Sequence, residues 1–148
     1  MKIRTLFTYV VVSCCLFAKV IAQSGQSNEQ VIIELNEQLK TAMGSHRVDV
    51  LNNISWEYRT TLTDSALYYA REAEIAAIES SYTKGQIKSL NFQGIAFRNK
   101  SDYSHAFEKF VEALKLAEET NDAEQVGYSN INLGNIYINQ TNYEGALE

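Results

Sequence analysis

Several residue types that often decide a fold are scarce in this chain of 148 residues. Proline is absent and there are only seven glycines, so turn signals are few, which favours helices joined by short polar loops. The two cysteines, Cys14 and Cys15, lie side by side near the start. The rest of the chain therefore has no disulfide framework, thiol nucleophile or cysteine-based metal site.

Basic residues are also scarce, and no run of them occurs. The chain has 13 basic and 18 acidic residues, and three of the basic ones (Lys2, Arg4 and Lys19) fall within the first 22 positions. The remainder is therefore more acidic than the whole. Because binding to a phosphate backbone needs clustered Lys and Arg, this composition disfavours nucleic acid as a partner.

Residues 1–22 have the order of a secretory signal peptide. A basic start is followed by the apolar segment 6–17 and by the smaller residues 20–22, with Lys19 between them. The apolar segment is shorter than the roughly 20 residues of a membrane-spanning helix. We expect export, to a periplasm or outside the cell, with cleavage after Ala22. An uncleaved membrane anchor and acylation at Cys14 remain as alternatives.

The rest of the chain contains a repeat. Residues 91–108 and 131–148 align at an offset of 40 without gaps, and a third copy begins near Leu51 at an offset of 39. Within each copy, apolar residues recur at intervals of three and four, which predicts two helices per copy. The polar residues 99–102 and 139–142 between those helices predict a turn and the N-cap of the second helix.

Small residues on the first helix of each copy are expected to face alanine on the second, so that the two helices approach closely. Aromatic residues fill the space beside them. The residues expected to pack in this way are Ser55, Tyr58, Ala66, Gly94, Phe97, Tyr103, Ala106, Phe110, Ala113, Gly134, Tyr137, Tyr143 and Ala146.

This pattern resembles the tetratricopeptide repeat: a small residue, an aromatic residue three positions on, tyrosine nine on and alanine twelve on. The period of 39–40 is longer than the family's usual 34 and the closing proline is missing, as in a longer bacterial variant. The resemblance implies an all-α fold, a right-handed α-solenoid of antiparallel helix pairs. We expect repeats at 48–86, 87–126 and 127–148, the last incomplete.

Residues 23–47 precede the repeats as a polar linker and a further helix. Val31, Leu35, Leu39 and Met43 recur every four residues, which predicts a helix over 28–43. A turn is expected at 44–46. Because residue 148 falls early in the second helix of the third copy, we also expect this chain to be a fragment of a longer protein.

The resemblance implies that the first helix of each repeat lines an inner, ligand-facing wall. The residues expected to point outward there and to form a peptide-binding groove are Asn52, Trp56, Arg59, Lys88, Asn91, Ile95, Arg98 and Asn135. Tyr128, Ile131 and Ile138 belong to the same wall in the third copy. Asn and Arg side chains suit a peptide backbone and carboxylates, and an exposed tryptophan suits an interface.

No catalytic motif, cofactor-binding motif or metal-ligand spacing is present, and His46 and His105 have no partner at metal-ligand spacing. The expectation is a non-enzymatic exported scaffold that binds a protein or peptide partner. By resemblance it is the N-terminal sensory part of a longer bacterial signalling protein. Two alternatives remain: an accessory arm of an enzyme such as a histidine kinase or nucleotide cyclase, and a complete small secreted adaptor.

Overall fold

The computed structural model describes residues 28–145, with the side chains of 28–139. These residues form helices and no strand, which confirms the predicted all-helical class. The helices are α1 (Asn28–Leu39), α2 (Gly44–Tyr58), α3 (Thr63–Glu79), α4 (Thr83–Asn99), α5 (Tyr103–Glu119) and α6 (Ala123–Gly145). The chain divides into two units at Ile33, and α2 to α6 all belong to the second. Of the first unit, the structure describes only the beginning of α1.

The turns after α3, α4 and α5 share one backbone form. These helices are each 17 residues long, and the middle residue of the following turn has a positive φ: 53° at Ser81, 61° at Ser101 and 55° at Asn121. The next N–H then donates to a carbonyl five residues back, as from Asp102 to Phe97 at 2.9 Å. This is the Schellman arrangement. It recurs every 20 residues, so a helix pair accounts for the 40-residue period of the sequence.

The predicted N-cap between the helices of the second copy is present. The Asp102 carboxylate accepts a hydrogen bond from the backbone N–H of His105 at 3.3 Å. Asp122 caps α6 in the same way by accepting from Gln125 N–H at 3.2 Å. Each carboxylate thus binds an N–H that has no partner within the helix, and each helix starts directly after its turn.

From α2 to α6, neighbouring helices are antiparallel, because the short turns reverse the chain and early residues of one helix meet late residues of the next. Ile87 near the start of α4 packs with Ala117 near the end of α5, whereas Gly94 near the end of α4 lies against the Phe110 ring. In the first pair, the Ser55 hydroxyl donates to the Ala66 carbonyl at 2.8 Å. The predicted pairing of a small residue with alanine is seen between Ser55 and Ala66, whereas the atoms nearest to Gly94 belong to Phe110.

Helix α4 also contacts both α2 and α6, and the three helices run parallel. Trp56 of α2 stacks on Phe92 of α4 with ring centroids 5.4 Å apart, and Arg98 of α4 bonds to Asn132 of α6. Helix α3 packs against both α2 and α4, and α5 packs against both α4 and α6. Helix α4 is therefore the central element, with four helices around it.

Two turns differ from the sequence prediction. Helix α1 ends at Leu39 and α2 begins at Gly44, so the first turn comes earlier than the predicted 44–46. Gly44 itself has φ 55°, which glycine adopts without steric cost. The predicted turn at 139–142 is wrong, because α6 continues through these residues to Gly145.

The second and third copies differ at this point. In the second copy, the turn after α4 is held by the returning helix α5, whose buried face is Ala106, Phe110, Ala113 and Ala117. The matching face of the third copy would begin at Ala146, which lies outside the described residues together with the Tyr143 side chain. Within the described residues, Gly134 has nothing within 4 Å of where a Cβ would stand.

Candidate functional site

Two adjoining cavities open on the surface formed by α2, α4 and α6. We call this surface the groove, and its lining includes Trp56, Arg59, Lys88, Phe92, Arg98 and Tyr128. The cavities have volumes of about 310 and 250 Å³. Trp56 and Tyr128 line both of them, so the cavities are neighbours, separated by two aromatic side chains.

The larger cavity is mainly aromatic. Trp56, Phe92 and Tyr128 supply its rings, and the polar residues of its rim are Asn53, Lys88, Glu124 and Gln125. The ammonium group of Lys88 lies 6.0 Å from the centre of the Phe92 ring. A cavity of this size with aromatic walls can accept one apolar side chain.

The smaller cavity is polar and has a positive charge. Its lining comprises Trp56, Arg59, Thr60, Ile95, Arg98, Asn99, Tyr128, Asn132 and Asn135. Two of these side chains are cationic and none is anionic. The amide groups of the three asparagines add donors and acceptors of the kind that bind a peptide backbone. This cavity can therefore hold polar and negatively charged groups.

Arg59 is positioned by the tryptophan. Its guanidinium carbon lies 3.6 Å from the centre of the Trp56 ring, within the range of a cation–π interaction. Its Nη1 also donates to the Trp56 carbonyl at 2.6 Å, which accepts the backbone N–H of Arg59 as well. The C-terminal end of α2 thus places a planar cation at the wall of the smaller cavity.

Arg98 reaches across to α6. Its Nη1 donates to the Asn132 side-chain oxygen at 3.2 Å, and Asn132 in turn donates to the Tyr128 carbonyl at 3.0 Å. Burial raises the pKa of Tyr128, while the hydrogen bond with Asn132 and the positive charges of Arg98 and Arg59 partly oppose this. Both arginines are therefore close enough to Tyr128 to act on it electrostatically.

The structure brings most of the predicted groove residues together. Six of the eight line the two cavities: Trp56, Arg59, Lys88, Ile95, Arg98 and Asn135. Ile95 is only 5% exposed, so it forms the floor of the smaller cavity and does not point outward as predicted.

The prediction that Asn52 and Asn91 point outward is wrong. Both are fully buried and both bond to the next parallel helix. Asn52 donates to the Gly85 carbonyl at 3.1 Å, and Asn91 donates to the Gln125 side chain at 3.4 Å. Gly85 and Gln125 are 40 residues apart, so the same contact recurs between successive copies. Asn91 also accepts from the Ser129 hydroxyl at 3.0 Å.

Sequence reasoning did not find Phe92, Asn99 and Asn132 as groove residues. A signal for Asn132 was present, because it follows Tyr128 by four residues and so shares its face of α6. The same signal marked Phe92, which follows the predicted groove residue Lys88 by four residues. The ring centroids of Phe92 and Trp56 lie 5.4 Å apart.

Within residues 28–145, no group of three or more His, Cys, Asp or Glu side chains is placed to hold a metal ion. In the same part of the chain, no helix is long and apolar enough to cross a membrane. The predicted signal peptide, residues 1–22, lies outside it.

Comparison with known proteins adds no relative. No protein-family model, curated protein or solved structure matches this chain.

Proposed function

We propose that this chain is a helical-repeat scaffold similar to the tetratricopeptide family, a right-handed α-solenoid that binds a peptide segment of a protein partner in the groove. The observation that carries the proposal is the pair of adjoining cavities along the parallel helices α2, α4 and α6. The 20-residue recurrence of turns at Ser81, Ser101 and Asn121 supports the repeat architecture. Aromatic walls beside fixed polar groups are typical of protein interfaces.

The basic and apolar order of residues 1–22 supports binding outside the cytoplasm. A sensory role in a longer bacterial signalling protein rests on the family resemblance alone. An exported form is expected to be shorter than the full chain by residues 1–22, which mass spectrometry of the secreted or periplasmic protein measures directly. Full-length mass in the membrane fraction would favour the uncleaved anchor.

Peptide binding can be tested with a random peptide library displayed on phage and panned against the full chain. Trp56 is the only tryptophan, and it lines both cavities. Its fluorescence therefore reports occupation of the groove without a label. Selected peptides are expected to shift the Trp56 emission in a saturable manner.

A matched pair of variants distinguishes the groove from other surfaces. Asn53 is exposed and lines the larger cavity, whereas Asn130 is exposed on α6 and lines neither cavity. Asn53→Phe is expected to fill the mouth of the cavity and weaken binding about tenfold or more, and Asn130→Phe to leave it unchanged. Selected peptides that bind both variants equally well would place the binding site elsewhere and remove the support for this proposal.

A further inference from the structure

The smaller cavity holds two arginines that have no acidic partner. Neither Arg59 nor Arg98 forms an ion pair with a carboxylate of the described residues, and Glu124, the acidic residue nearest in the lining, belongs to the larger cavity. This is unusual in a chain whose acidic residues outnumber its basic ones by 18 to 13. Buried or half-buried cations are normally paired.

Each guanidinium has further hydrogen-bonding capacity. A guanidinium has five N–H donors, and in the described structure Arg59 uses one on the Trp56 carbonyl and Arg98 uses one on Asn132. Both bonds restrict the orientation of the planar group and leave its other N–H groups available to a ligand. Arginine fixed in this way matches the two oxygens of a carboxylate.

The larger cavity determines which kind of side chain can bind beside the carboxylate. Its walls are the aromatic rings of Trp56, Phe92 and Tyr128, which suit an apolar side chain. In an extended peptide, side chains two residues apart lie on the same face and are separated by roughly 7 Å, which allows them to enter adjoining cavities. A free small anion would occupy only the smaller cavity and would leave the aromatic one empty.

We infer that the groove selects an acidic peptide segment of a protein partner, with an aromatic or branched apolar side chain in the larger cavity and a neighbouring Asp or Glu carboxylate bound by Arg59 and Arg98. This inference rests on the proposed peptide-binding function and adds the chemistry of the ligand. The unpaired positive charge provides the charge complementarity, and the shared walls at Trp56 and Tyr128 provide the spacing.

The test uses the full chain and an array of labelled octapeptides. Each peptide carries Leu or Phe, followed after zero to two residues by Asp, Asn or Lys, in an otherwise Gly and Ser background. Binding is followed by fluorescence anisotropy of the labelled peptide. The Asp peptides are expected to bind about tenfold more tightly than their Asn counterparts, because hydrogen bonds to charged groups are stronger than neutral ones.

Three substitutions test whether the two arginines cause the preference for Asp over Asn peptides. Arg98→Gln and Arg59→Gln are expected to remove most of the Asp-over-Asn preference, and Arg98→Lys to retain part of it, since lysine keeps the charge but loses the planar fork. Arg71→Gln is the matched control, because Arg71 lies on α3 and lines neither cavity. Thermal unfolding followed by circular dichroism verifies that each variant is folded.

The outcomes separate this inference from the proposed function. Asp peptides that bind no better than Asn or Lys peptides, or a preference that survives in both Gln variants, would overturn the inference. If those peptides still lose binding to Asn53→Phe, peptide binding in the groove stands. If no peptide of the array or of the random library binds, both proposals are wrong.

Discussion

Gly94 and Gly134 hold the same position in successive copies of the repeat, but their surroundings differ. A Cβ on Gly94 would stand 2.5 Å from Cε1 and 2.7 Å from Cδ1 of Phe110, and that ring is fully buried and cannot move aside. At Gly134 a Cβ would meet nothing within 4 Å. Glycine is therefore required for close packing at the first position only.

This difference predicts opposite effects of the same substitution. Alanine in a helix is favoured over glycine by about 1 kcal/mol, but overpacking a filled core costs about 1–3 kcal/mol. We expect Gly94→Ala to lower the free energy of unfolding by about 1–2 kcal/mol and Gly134→Ala to raise it by up to about 1 kcal/mol. Urea unfolding followed by circular dichroism measures both, and equal effects would contradict the packing described at Gly94.

The turn residues with positive φ give a second prediction. Ser101 has φ 61° in the turn between α4 and α5, a conformation that costs an L-residue other than Asn roughly 1–2 kcal/mol relative to glycine. After allowing for the greater freedom of glycine in the unfolded chain, Ser101→Gly is expected to raise stability by about 0.5–1 kcal/mol. Ser101→Ala is the control and should bring no gain. A loss of stability in the glycine variant would mean that the serine side chain has another role in the turn.

At the scale of the element, the start of α5 depends on Asp102. Burial opposes ionisation of this carboxyl group, but hydrogen bonds from the backbone N–H and ring of His105 and the charges of His105 and Lys100 lower its pKa overall. Because the pKa of Asp102 is lower in the folded than in the unfolded chain, the cap contributes fully to stability when the pH is above the pKa of the unfolded chain. This contribution is lost as the pH falls through the pKa of the folded chain.

We therefore expect Asp102→Ala to lower the Tm most at neutral pH, with the difference from wild type shrinking as the solution is acidified below the ordinary pKa of an aspartate. Asp102→Asn is the informative control, because asparagine also caps helices but does not titrate. Its Tm difference should be smaller and less dependent on pH. A gap between wild type and Asp102→Ala that widens in acid would contradict this assignment.

The elements also show how far the sequence determines the structure. The helix pairs were predictable because Gly94 on α4 faces Phe110 on α5 within one repeat, at positions set by the 3.6-residue period. The burial of Asn52 and Asn91 was not, since it depends on contacts with the next parallel helix. The failed turn at 139–142 shows that a run of polar residues does not by itself end a helix.

The groove, too, could be predicted only in part. Trp56, Arg59 and Arg98 could be identified because helical spacing and the family resemblance place them on one face of α2 or α4. Their pairing with Phe92, Asn132 and Tyr128 could not be predicted, since these contacts cross from one repeat to the next. The site is thus formed between repeats, whereas the sequence pattern specifies only the interior of each repeat.

At the scale of the whole molecule, two kinds of interface hold α2 to α6 together. Contacts within helix pairs are mainly apolar, as between Ile87 and Ala117, with a buried hydrogen bond from the Ser55 hydroxyl to the Ala66 carbonyl. Contacts between successive parallel helices include buried hydrogen bonds, as from Asn91 to Gln125 and from Ser129 to Asn91. Removing one partner of such a bond leaves a buried polar group unsatisfied, at a cost of about 1–3 kcal/mol, so these bonds fix how the repeats align.

Local stability should therefore be highest in α4, and amide hydrogen exchange can measure it. This helix contacts α2, α3, α5 and α6, and residues 89–96 are buried without interruption. Opening it requires separating four interfaces, whereas α6 contacts two of the described helices, α4 and α5. Exchange from the native state follows the free energy of local opening.

We expect the amides of residues 89–96 to exchange slowest and those of 131–139 to exchange at least tenfold faster. Equal rates in the two segments would mean that the helices unfold as a single unit, and slower exchange in α6 would require that its exposed face is covered in solution.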